Sequence, residues 1–144
     1  MNEDKNYRGY DFWLQNRSFG THIVSEWPNN ALKVVSDKQL EVNKWQHVVI
    51  TYDGSSKASG IKLYIDGNLV GNKVEQDSLN DSILTEAPFK IGSRSKTSHF
   101  KGELDELRIY DRALGVDEIK SIGGDPINSL LSIHKKERSK QPVS

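Results

Sequence analysis

The stretch W-Q-H-V-V-I-T-Y-D-G, Trp45 to Gly54, continues after a short loop as I-K-L-Y-I-D-G, Ile61 to Gly67. In the first segment Trp45, His47, Val49 and Thr51 alternate with Gln46, Val48, Ile50 and Tyr52. Successive side chains of a strand point to opposite faces, so a run apolar on both sets predicts a strand covered on both faces. Asp53-Gly54 ends it, because Gly takes the positive φ that tight turns use. The second segment alternates Ile61, Leu63 and Ile65 against Lys62, Tyr64 and Asp66. Asp66-Gly67-Asn68 then turns the chain into Leu69-Val70, a strong hairpin signal.

These two strands resemble the core of the laminin-G-like, concanavalin-A-like jelly roll, whose pattern W-x-H-V-[VA]-x-[TS]-Y-D-G followed by [KL]-x-L-Y-[IV]-D-G is matched here at every position but Ile61. F-K-G-E-L-D-E-L-R-I-Y-D-R-A-L, Phe100 to Leu114, resembles the closing strand of that family and its short helix. The resemblance covers roughly residues 7 to 122 and implies an all-β, antiparallel jelly-roll β-sandwich over 1–124. It also implies that the strands normally preceding Tyr7 are missing, so that the sandwich is N-terminally truncated. A truncated sandwich has open sheet edges, and self-association through such an edge is expected.

Outward from the core, strands are expected at Tyr10 to Gln15, Phe19 to Ser25, Ala31 to Ser36, Pro88 to Gly92 and Phe100 to Tyr110. Met1 to Asn6 is polar and expected to fray. Trp27-Pro28-Asn29-Asn30 reads as a loop, since Pro lacks the ladder donor. Asn72 to Ala87, rich in Asp, Asn and Ser, reads as a surface loop. A helix is expected from Gly115, with Asp117 and Glu118 in the first turn, where the helix dipole favours acids. Asp125-Pro126 resembles a second helix start, and Ile127, Leu130, Leu131 and His134 follow at helical spacing. Residues 125–144 therefore read as a helical linker toward a following domain. This tail resembles the linker that follows the laminin-G-like domain of large planctomycete surface or periplasmic proteins with cytochrome-like domains before it, and Tyr7 to Asp11 and Ser25 to Ala31 resemble the same subgroup. That resemblance implies an extracytoplasmic location, periplasmic or cell-surface.

The length of 144 residues suits one domain with its own core. Lys plus Arg equals Asp plus Glu, so the formal net charge is zero. Neutrality gives no electrostatic reason to expect nucleic acid or an anionic membrane as partner. The chain has no cysteine, which excludes disulfides and thiolate chemistry. No run of about 18 apolar residues predicts a transmembrane helix, and the first residues lack the apolar core of a signal peptide.

Catalysis is not expected. Jelly-roll glycosidases set carboxylates along one strand, two of which flank the scissile bond. Glu103 and Asp105 share a face, but Leu107 and Arg108 stand where the third acid is needed. His22 and His47 are not spaced as a metal pair, and His47, part of the W-x-H pattern, is expected as a hydrogen-bonded core residue. Asp53 and Asp66 are turn residues. Asp105 matches the Asp that holds a structural Ca²⁺ in many jelly rolls of this class, so it is the candidate metal ligand, although calcium takes six to eight oxygens. Flat aromatic faces bind sugars and neighbouring amides fix hydroxyls. Trp13 and Trp45, in alternating strands, are expected in the core. Trp27, Asn29 and Asn30 are the candidate ligand contacts, with Tyr7, Arg8 and Tyr10 as neighbours. The expected function is a non-catalytic binding or adhesion module, with carbohydrate or neighbouring protein domains as partners. The alternative is a structural spacer that orients flanking domains. A degenerate glycoside hydrolase ranks below both.

Overall fold

The computed structural model describes residues 1–94 and 98–123. Two antiparallel sheets face each other across one apolar core. The larger contains β1 (Gly9–Tyr10), β2 (Trp13–Gln15), β3 (Ser18–Glu26), β4 (Asn30–Ser36) and β8 (Asn72–Asp77). Its order is β1-β3-β4-β8, and β2 also pairs with β3. The smaller contains β5 (Val48–Tyr52), β6 (Ile61–Ile65) and β7 (Asn68–Val70), in that order. A short helix, α1 (Val116–Gly123), follows. The all-β sandwich with a short helix after it is as expected. The expected second helix at 125–144 lies outside the described residues.

The core arises from strand alternation. Phe19 and Ile23 of β3 and Leu32 and Val34 of β4 meet Ile61, Leu63 and Ile65 of β6, with Val48, Ile50 and Tyr52 of β5 packed against them. Leu63 pairs with Ile50 and lies fully buried between the sheets. The hairpin at Asp66-Gly67 forms as expected: both residues take positive φ, 50° and 80°, as a two-residue turn of the primed type requires. A side chain at Gly67 would also press on Lys120 Cα, 3.2 Å away, because α1 packs against this turn.

Several expectations are corrected. Trp45 is not core but 64% exposed. β6 ends at Ile65, opposite Val48, and turns away at Asp66, so the first strand has no regular ladder before Val48. Asn72–Asp77, expected as loop, is edge strand β8. Its one apolar residue is Val74, so no period shows, and its charged side chains are the usual protection of an edge. Residues 88–92 and 100–110 form no β-ladder strand among the described residues. Their apolar side chains, including Phe89, Ile91, Leu104, Leu107 and Ile109, are exposed. Alternation makes a strand only when a neighbour completes the ladder. Here Glu106 takes φ 52°, and its N–H bonds locally to Asp105 Oδ1. The polar start forms a 3-10 turn at Glu3–Lys5 and a bridge from Asn2 to Arg8 instead of fraying.

Candidate functional site

The outer face of the larger sheet, away from the core, gathers the chemistry. β1 and β2 keep one register along β3: Tyr10 faces Ile23 and Trp13 faces Gly20. Asp11 therefore stands opposite His22. The Asp11 N–H donates to the His22 carbonyl at 3.1 Å, and the His22 N–H donates to Asp11 Oδ1 at 2.7 Å. Thr21 Oγ1 donates to the Asp11 carbonyl at 2.6 Å. The carboxylate thus faces the imidazole, with both oxygens 3.1 Å from His22 Nδ1. Both side chains are nearly buried, 11% and 15% exposed.

Trp13 lies over Gly20. A methyl there would collide with the Val34 carbonyl oxygen and stand 3.0 Å from Trp13 Cζ2, so only the bare glycine lets the indole lie down on the sheet. The indole centroid is 5.6 Å from the His22 ring, and its Nε1–H is buried without a hydrogen-bond partner. On the far side of His22 the ring of Trp27 stands edge-on at 5.3 Å and 82°. A β-bulge explains its position. Val24 pairs with Ala31 but Glu26 pairs with Asn30, so Ser25 is an extra residue. One extra residue reverses the alternation, and Trp27 follows His22 to the outer face.

A second bulge completes the site. Lys33 pairs with Gln76 and Val34 with Val74, which leaves Glu75 unpaired in the ladder. Its carboxylate reaches Lys33 Nζ at 2.6 Å and Lys73 Nζ at 3.8 Å. The hydrogen bond from Lys33, with the nearby charges of Lys33 and Lys73, holds the Glu75 carboxyl below its ordinary range. Lys33 Nζ also lies 5.6 Å from the Trp13 ring centroid and 6.0 Å from that of Trp27, at cation–π distance.

The sequence-predicted residues fall unevenly. Trp27 belongs to this face. Asn29 is exposed in the turn beside it. Asn30 uses both ends of its amide on Asn80: Nδ2 donates to Asn80 Oδ1 at 2.6 Å, and Oδ1 accepts the Asn80 N–H at 2.8 Å. It ties the start of β4 to the stretch after β8. Of the expected neighbours, Arg8 Nε donates to the Ser25 carbonyl, and Tyr7 stacks under Arg94. Tyr10 pairs with Ile23, whose side chain belongs to the core. Trp13, expected in the core, is corrected to the outer face, and His22 and Lys33 were missed. A glycine opposite an aromatic residue was the available signal.

Asp105 is exposed, and one of its oxygens accepts the Glu106 N–H at 2.8 Å. No group of three or more His, Cys, Asp or Glu among the described residues could hold a metal ion, so calcium at Asp105 would need carbonyl, amide or water oxygens, or carboxylates from outside them. His47, expected as a hydrogen-bonded core residue, is half-buried, and its Nδ1 is buried without a partner. Burial pushes its pKa below the ordinary value, Arg108 adds to this, and Asp66 opposes it.

Comparison with known proteins agrees with the architecture. Residues 2–120 match the family model of the concanavalin A-like lectin/glucanases superfamily. Paraclostridial mosquitocidal protein 1 of Paraclostridium bifermentans is 31% identical over 100 residues, 66% of this chain and 7% of that protein. Neuronal pentraxin-2 of Cavia porcellus is 30% identical over 125 residues, 77% of this chain and 29% of that protein. The chain thus spans under a third of the length of these relatives. Among solved structures, an S-layer domain-containing protein (residues 221–444) of Clostridium thermocellum matches 83% of this chain and 65% of its own, at 20% identity and a TM-score of 0.48. With its two antiparallel sheets and a family match over most of its length, the chain belongs to the concanavalin A-like lectin/glucanase superfamily.

Proposed function

We propose that the chain is a non-catalytic, carbohydrate-binding module of a larger extracytoplasmic protein, and that the outer face of the larger sheet holds the glycan. The observation that carries this reading is the pairing of Trp13 and Trp27 on one face, with His22, Lys33 and Glu75 between and beside them. Indoles offer flat apolar area to the C–H face of a sugar ring, and polar groups set among them bond its hydroxyls. Trp27 keeps its proposed contact, and Asn29 extends the site along the loop. Asn30 supports the loop through Asn80. The extracytoplasmic setting is proposed from the resemblance to large surface and periplasmic proteins, and cell fractionation tests it. A glycan array tests the main reading: binding lost in Trp13→Ala and Trp27→Ala, with melting preserved, is the expected result. Binding that survives both substitutions places the ligand elsewhere.

A structural spacer is the second reading, favoured by the exposed apolar row Phe100, Leu104, Leu107 and Ile109. A neighbouring domain would cover this row. Amide exchange over residues 100–110 that slows only in a longer version of the chain supports the spacer. Equal exchange in both versions counts against it.

A further inference from the structure

The matched charges of the outer face point to the class of its ligand. Glu75 stands against two ammonium groups, Lys33 and Lys73, and Asp11 stands against the His22 ring, so two carboxylates match two ammonium groups on this face. Lys33 is the cation between the two indoles, and it is already engaged by Glu75 at 2.6 Å. An anionic sugar would have to compete with that carboxylate for Lys33 and would then approach it at close range. A neutral hydroxyl meets neither cost, since it donates to Glu75 or accepts from Lys33 without separating the pair.

The imidazole supplies the direction of one further bond. Both Asp11 oxygens face Nδ1. In the neutral ring the proton therefore sits on Nδ1, and Nε2 is left as an acceptor. We infer that this face takes an uncharged glycan rather than a uronic or sulfated one, and that His22 Nε2 accepts one of its hydroxyl protons. The inference rests on the glycan-binding reading above and adds the chemical class and the polar contact.

The test is affinity electrophoresis of the full chain through gels that contain β-glucan, xylan, mannan or galactan, and through gels that contain polygalacturonate or heparin, each at low and high salt. Retardation by at least one neutral polysaccharide, unchanged by salt, with none by the acidic pair, is the expected result. His22→Phe keeps an aromatic ring between the indoles but removes the acceptor, and is expected to weaken neutral binding about tenfold, the size of one hydrogen bond. Its melting curve shows whether the fold is kept, and His22→Gln, which retains an acceptor, is expected to recover part of the affinity. Glu75→Gln leaves Lys33 and Lys73 unpaired and is expected to add salt-sensitive retardation by polygalacturonate. Salt-sensitive binding of acidic glycans by the unaltered chain, lost in Trp13→Ala, overturns the inference and leaves the glycan reading standing. Neutral binding unchanged in a folded His22→Phe overturns the His22 contact. Retardation by no polysaccharide overturns both.

Discussion

Replacing Gly20 by alanine puts one methyl group where the structure has no room. The added carbon would collide with the Val34 carbonyl oxygen and lie 3.0 Å from both Trp13 Cζ2 and Val35 Cα. Two of these contacts are backbone of the neighbouring strand, which no side-chain rotation relieves. Forcing β3 and β4 apart costs about 3 kcal/mol by analogy with overpacked cores. Loss of the glycine's extra chain entropy in the unfolded state returns about 0.7 kcal/mol. The net destabilisation is about 2 kcal/mol, which for a domain of this size lowers the melting temperature by about 7 °C. Thermal denaturation followed by circular dichroism measures it. Gly115→Ala is the control, since its added carbon meets only Glu118 Oε1, at an ordinary 3.6 Å, and a change within about 0.5 kcal/mol is expected. In Gly20→Ala the Trp13 indole must also lift from the sheet, so glycan affinity should fall with stability. A Gly20→Ala chain that melts within about 1 °C of the original refutes the reasoning, because the two strands would then not approach as closely as described.

Leu63→Ala, at a fully buried site between the sheets, should cost about 2–5 kcal/mol in chemical denaturation. His47 has its pKa lowered mainly by burial. Its neutral form is the folded one, so its contribution is present above the ordinary value of 6.5 and is lost as the pH falls through the lowered folded value. His47→Gln should therefore flatten the fall of melting temperature across mildly acidic pH, and an unchanged slope counts against the argument. Glu118 accepts two hydrogen bonds from Arg112, at 2.8 and 2.6 Å, and one from the Gly115 N–H, and these bring its pKa down to about 2. Its contribution is present above the ordinary value of 4.5 and is lost as the pH falls toward about 2. Glu118→Gln should remove that acid-sensitive step, read by nuclear magnetic resonance titration of α1. Calcium at Asp105 is a separate proposal, and a melting temperature raised by calcium and unresponsive in Asp105→Asn would support it.

The alternation at Val48–Tyr52 and Ile61–Ile65, with the Asp-Gly turn between β6 and β7, made one sheet legible in the chain itself. Those features are local: period-two burial and a turn that needs two positive φ angles. The family resemblance carried the rest of the sandwich. Acidic residues in the first turn of α1 and the three-carboxylate shortfall around Glu103 were equally readable, because each depends on neighbours in sequence.

What depended on partners distant in sequence was not readable. Trp45 looked like core until β6 was seen to end opposite Val48 and leave it without a ladder. The row at 100–110 alternates like a strand, yet no strand among the described residues pairs with it. β8 looked like loop because an edge strand with one apolar residue has no visible period. The outer face is the clearest case. It exists because two bulges, at Ser25 and Glu75, each shift the alternation by one residue, and because Gly20 lets Trp13 lie flat. A bulge is a mismatch between two strands, so it has no meaning in either strand alone. Local pattern therefore chose the β5–β6–β7 sheet, whereas the choice of which tryptophans share the outer face was made only when the strands paired.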